Sequence, residues 1–187
     1  MKQQIKTKSA IFPMPVLLIA TYNDDSSIDV MNAAWGMMID EDHIALNLSA
    51  SHKTVKNILK RKAFTVSIAT KEYVNEADYF GIVSNNTVLD KFVKSKLTAT
   101  KSNNVNAPIV NEFKVTMECE FVDFDENKFG AGVIGKIVNV IAEDDVITND
   151  NVDISKLNAI AYDPFTNGYY VVNERVGNAF KDGLKIK

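Results

Sequence analysis

Apolar residues recur along this chain mainly at every second position or in short unbroken runs, so strands dominate the expected structure. "VLLIATY" (16–22) is a continuous apolar run ending at the turn-like "NDDSS", as expected of a strand buried on both faces. "SIDVMN" follows as its hairpin return. "HIALNLS" (43–49) places Ile44, Leu46 and Leu48 on one face, and "FTVSIA" (64–69) does the same with Phe64, Val66 and Ile68. "KVTMECEFVDF", "GVIGKIVNVIAE" and "GYYVV" predict further strands. Helical spacing is rarer. "SHKTVKNILKRK" (51–62) predicts a helix with Ser51 as N-cap and Val55, Ile58 and Leu59 on one face. "NTVLDKFVKSK" (86–96) offers Val88, Leu89, Phe92 and Val93 as an apolar stripe, and "DISKLNAIAYDP" (153–164) reads as a helix from an Asp cap to Pro164. Many short strands with few helices predict a mainly β fold, an antiparallel barrel that is closed or nearly closed.

Composition narrows the field only a little. The 187 residues contain no repeat or linker, which predicts a single domain over 1–187. A net charge of −3 argues against non-specific binding to nucleic acid or to an anionic membrane. No apolar stretch approaches the length of a membrane-spanning helix. Cys119 is the only cysteine, which excludes an internal disulfide and suggests a reducing compartment. It alternates with Val115, Met117 and Phe121 and reads as a buried strand residue. With two histidines and one cysteine, a His/Cys metal site is not expected, and the acidic clusters read as turns. The lysines before "AIFPMPVLLIA" faintly resemble a secretory signal, but two prolines interrupt the run and no small-x-small cleavage site follows. A cytoplasmic protein is the expectation.

Three stretches carry candidate chemistry. "GAGVIG" (130–135) matches the G-x-G-x-x-G pattern of dinucleotide-binding turns, yet the β-branched "KIVNVIAE" that follows starts no helix to face a pyrophosphate. Its glycines read as hairpin and barrel-bend residues. The helix at Ser51 is a better anion site. Its first turn brings Ser51, His52, Lys53 and Thr54 beside backbone N–H groups and the positive end of the helix dipole. The same pattern also describes an ordinary capped helix with lysines on its wet face. In "NAAWGMM" (32–38), small residues would let a flat ring approach the backbone and Trp35, the only tryptophan, offers a stacking face. Trp35 could equally be a core or interface anchor.

Taken together, these segments resemble the flavin reductase-like family, also called flavoredoxins, whose fold is an FMN-binding split β-barrel. "PMPVLLIATY" is similar to the family's opening P-x-P-V strand and "NAAW" to its Asn-x-x-Trp segment. "SASHKT" is similar to its phosphate segment. "GIVSNNTVLDKF", "APIVNEFKVTMECEF" and "YDPFTNGYYVVNERVG" follow in the family's order. The resemblance implies FMN as cofactor, with Asn32, Ala33, Ala34 and Trp35 lining the isoalloxazine. Asn47, Leu48 and Ser49 would pass along the cofactor, Ser51, Lys53 and Thr54 would hold the phosphate, and Lys91 would approach the flavin or its phosphate. Two departures stand out. Asn85 follows Ser84 where members commonly have glycine, and Lys53 stands where arginine is frequent, replacing a bidentate fork with a point charge.

The resemblance further implies a homodimer and transfer of hydride or electrons from NAD(P)H through FMN to a flavin or another acceptor. The flavin carries that chemistry, so no side-chain acid or base is required, and none stands out. Two alternatives stay open at this point: a flavoredoxin-like electron-transfer protein reduced by a protein partner, and a non-enzymatic barrel that binds another flat ligand.

Overall fold

The computed structural model describes residues 1–6, 11–126 and 132–186. In chain order, β1 (Met14–Pro15), β2 (Leu17–Tyr22), β3 (Ile28–Ala33), β4 (Gly36–Met38) and β5 (His43–Leu46) precede helix α1 (Lys53–Arg61). Next come β6 (Ala63–Ile68), helix α2 (Val74–Ile82) and the short helix α3 (Lys91–Ser95). The strands β7 (Ala99–Lys101) and β8 (Pro108–Val110) lead to the long strands β9 (Val115–Asp125) and β10 (Gly132–Ala142). The chain closes with β11 (Ile147–Thr148), β12 (Asn151–Val152), α4 (Ile154–Leu157), β13 (Ala159–Asp163) and β14 (Gly168–Val172).

Seven strands form one antiparallel sheet in the order β3-β2-β6-β9-β10-β5-β4. Its two edge strands, β3 and β4, are consecutive in the chain and separated only by Ala34 and Trp35. A sheet whose first and last strands are joined by two residues must curl until its edges meet, which makes it a split barrel. Packing at the seam agrees: a Cβ on Gly36 would lie 2.7 Å from Leu17 of β2 and 2.8 Å from Leu46 of β5. A side chain there would have to push the Leu17 and Leu46 methyls aside.

Alternation sorts the side chains into two cores. Leu17, Ile19, Ile44, Leu46, Phe64 and Val66 fill the barrel, and Val55 and Ile58 of α1 close one end. The opposite face of β2 and β3 presents Leu18, Ala20 and Val30 to Ala77 and Phe80 of α2 and to Ile160 of β13. Cys119 lies in the barrel core, where burial pushes its thiol up to about 12 and leaves it an inert hydrophobe. No helix among the described residues is long and apolar enough to cross a membrane.

Three helical expectations need correction. Ser51 does not cap α1; His52 occupies that position, and no side chain caps the helix. The segment 86–96 is helical only over Lys91–Ser95, and its expected stripe fails because Leu89 and Val93 are exposed. The residue of that helix that is buried is Lys91. The helix at Asp153 stops after one turn at Asn158, whose positive φ of 53° ends it, and 159–163 pair as β13 with β14. The turn is capped as expected, with Asp153 accepting from the Ser155 N–H. Helix α2 carries no strong pattern and was not expected. Of "GAGVIG", Gly132 and Gly135 lie in β10, so no helix follows them, while Gly130 lies outside the described residues.

Candidate functional site

The site grows out of the barrel seam. At the end of β3, Ala33 is buried and the chain bends through Ala34 and Trp35, a residue that is 57% exposed. The Trp35 carbonyl accepts the Asn47 N–H at 2.8 Å, so this bend is tied directly to the strand that leads to α1. From there Asn47, Leu48, Ser49, Ala50 and Ser51 line a groove of about 460 Å³, faced across the gap by Phe124, Asp125 and Glu126 of the β9 end. Alternation decides what each residue offers. Leu48 turns its side chain into the barrel core and presents only backbone, whereas Asn47 and Ser49 are exposed.

The groove runs into the start of α1. The Ser49 and Ser51 hydroxyls hydrogen-bond each other at 2.9 Å and both remain exposed. No carboxylate occupies the first turn of α1 and no side chain caps it. Its leading N–H groups therefore face outward with the positive end of the dipole, on a helix whose first residue is Lys53, an arrangement suited to an anion. Thr54 does not join them. It is buried, and its hydroxyl donates to Asp29 Oδ2 at 2.5 Å. Asn32 is also committed elsewhere, because its Nδ2 donates to the Ala77 carbonyl of α2 at 2.9 Å.

The segment 84–91 packs against this entrance. Asn86 Nδ2 donates to the Ser51 carbonyl at 3.1 Å. Asn85 is buried, accepting from Asn23 Nδ2 at 3.0 Å and donating to the carbonyls of Val88 (3.0 Å) and Leu89 (3.3 Å). The residue that departs from the family's glycine thus builds this loop with its side chain. Lys91, at the loop's end, is only 2% exposed and donates to the Phe80 carbonyl at 3.0 Å. Burial pulls its ammonium down to about 8, against the opposing field of Asp29. Asp29 in turn is raised by burial, opposed by the Thr54 hydrogen bond and by Lys91, Lys53 and His52.

The structure therefore joins Ala33–Trp35, Asn47–Ser49 and Ser51–Lys53 into one continuous strip, with Thr54 beneath it, the Asn32 amide turned toward α2 and Lys91 bonded to Phe80 of that helix. Sequence reasoning missed Asp29, Asn85 and Asn86 as its supports. Asp29 had left a signal, since it shares the inward-facing parity of Met31 and Ala33 on β3.

Residues 9–157 match the flavin reductase like domain. The chain belongs to the flavin reductase-like family. It is similar to the flavoredoxin of Desulfovibrio vulgaris (Miyazaki F), with 32% identity, coverage of 98% of this chain and 100% of that one, and a TM-score of 0.90. The flavoredoxin of Methanosarcina acetivorans is 23% identical over the whole of both chains, with a TM-score of 0.88. An FMN-binding domain of a flavin reductases-like enzyme from Shewanella baltica OS155 shares the fold at 16% identity, 88% coverage of each chain and a TM-score of 0.78.

Proposed function

We propose that this family member is an FMN-dependent oxidoreductase that takes electrons from NAD(P)H and passes them to a flavin or a redox-protein acceptor. The observation that carries the reading is the uncapped entrance of α1 lying on one strip with the exposed Trp35. In this assignment the N–H groups of the first turn, the Ser49 and Ser51 hydroxyls and the Lys53 ammonium hold the phosphate. No carboxylate lies in the turn itself to compete with a doubly charged ester, and the acidic residues that face the groove, Asp125 and Glu126, stand across the gap. Ala33, Ala34 and Trp35 border the isoalloxazine, Asn32 braces that border through α2, and Asn47 and Leu48 supply backbone along the cofactor. Thr54 and Lys91 act from below. When bound, FMN supplies the two-electron redox chemistry. The protein orients it and excludes water.

The chain works in this proposal as one domain, in the cytoplasm, as a homodimer. An apolar cleft of about 610 Å³, lined by Met37, Met38, Ile44, Ile154, Ala161 and Val172, is the surface we assign to the second subunit. A second reading, electron transfer from a protein partner, draws on the likeness to flavoredoxin and on the exposed acidic corner Asp40–Asp42 beside Met37 and Met38. Anaerobic mixing of the FMN-loaded protein with NADH or NADPH separates the two. Loss of the visible flavin absorbance within seconds is expected. Flavin that stays oxidised under nicotinamide but is reduced by a low-potential redox protein would favour the second reading, and a protein that retains no FMN contradicts both.

A further inference from the structure

Beyond β14 the chain continues as an arm, residues 173–186, none of which is buried. The arm is nevertheless apolar at four positions: Val176 is 92% exposed, Phe180 100%, Leu184 56% and Ile186 91%. At its base, Asn173, Glu174 and Arg175 face the β11–β12 hairpin across a cavity of about 790 Å³, so the arm stands off the body there. It still has a defined shape. Arg175 Nη2 donates to Asn178 Oδ1 at 2.6 Å, the Asn178 N–H donates to Asp182 Oδ2 at 2.8 Å, and Asp182–Ile186 form a 3-10 helix. Phe180 holds φ 62°, a conformation uncommon in a bulky residue. A shaped segment that presents one aromatic and three aliphatic side chains to water suits a surface outside its own subunit.

A second copy of this chain offers that surface. The apolar cleft of about 610 Å³ is lined by Met37, Met38, Ile154, Ala161 and Val172, and no residue of the subunit's own arm lines it. Val172 is the last residue of β14, so the arm leaves from the rim of the cleft. When two copies meet across this face about a two-fold axis, each arm emerges beside the other copy's cleft. Charge points the same way. Met37 and Met38 lead into Asp40, Glu41 and Asp42, against which the subunit sets His43 and, 3.6 Å from Asp42, Lys136. The arm carries Arg175, Lys181 and Lys185 against Glu174 and Asp182, and Lys181 forms no ion pair among the described residues. We propose that the arm of each subunit docks in the apolar cleft of the other, with Phe180 as its anchor and Lys181 facing the acidic corner. This deepens the two-subunit part of the reading above and rests on it.

Sedimentation of the FMN-loaded protein over a range of concentrations gives its dimer dissociation constant, and a double-mutant cycle tests the contact. Phe180→Ser and Met37→Ser each alter an exposed residue, so neither is expected to disturb the fold. Each should raise the dissociation constant about tenfold, and the double variant by well under the product of roughly a hundredfold, because both remove one contact. Lys181→Glu should weaken the dimer about threefold at low salt and less at high salt. A dimer indifferent to Phe180→Ser, or effects of the two serine variants that multiply in full, overturns the proposal and leaves the two-subunit reading standing. Coupling seen in urea midpoints but absent from the dimer constant places the arm in its own subunit's cleft and also overturns it. A protein that is monomeric at every concentration overturns both, and reduction of its FMN by NADH or NADPH is then read separately.

Discussion

Gly132→Ala is expected to destabilise the protein by about 2–5 kcal/mol. Gly132 opens β10 with φ +71°, a left-handed conformation in which an L side chain is strained. Space is the larger obstacle. A Cβ there would lie 2.3 Å from the Leu46 carbonyl oxygen and 2.9 Å from both the Asn47 Cα and the Leu48 nitrogen. These are backbone atoms of the strip that lines the groove, and no rotamer change moves them aside. Either β10 separates from β5 or the strip shifts, so FMN affinity should fall with stability. Urea unfolding of the variant measures the first effect and FMN titration the second. An alanine variant with the wild-type midpoint would mean that the β5–β10 contact is looser than described.

Glu118→Gln is the other large effect, at about 3 kcal/mol. The buried carboxylate of Glu118 in β9 accepts from the Ser102 hydroxyl through one oxygen. The other accepts from Asn104 Nδ2 at 2.7 Å and Asn139 Nδ2 at 2.5 Å. Glutamine must turn an NH2 group toward one of those donors. Burial alone would raise the Glu118 carboxyl, but the hydrogen bonds from Ser102, Asn139 and Asn104 outweigh it and hold the group below its ordinary value. An acid with a lowered folded pKa stabilises above its unfolded value and loses that stabilisation as pH falls through the folded one. Urea midpoints of wild type and variant should therefore differ most near pH 7 and converge in strong acid. A gap that stays constant down to pH 3 would place the effect in packing and not in charge.

The strands were legible because alternation and unbroken apolar runs follow directly from which face is buried. Residues 17–22, 28–33 and 63–68 pair side by side as their patterns suggest. The helices were less legible. Helix α2 buries only Ala77 and Phe80, too few positions to make a stripe. The segment "NAIAYDP" reads equally well with either period, and its pairing with β14 decides in favour of a strand. The glycines of "GAGVIG" mattered, though not for a pyrophosphate: Gly132 lets β10 approach the strip at Leu46–Leu48. The residues of the candidate strip stood out as a helix entrance and a small-residue bend. Its supports were less plain: Asp29 showed only in the inward parity it shares with Met31 and Ala33, and Asn85 is a loop residue of polar type that a hydrogen bond from Asn23, 62 positions away, helps to bury.

The central assignment is that the entrance of α1 grips the cofactor's phosphate. Its most direct test is FMN affinity of Lys53→Ala against wild type at low and high salt. A loss of about tenfold at low salt, narrowing as salt screens the charge, is the predicted result. Equal affinities at every salt concentration would contradict the assignment and move the phosphate elsewhere.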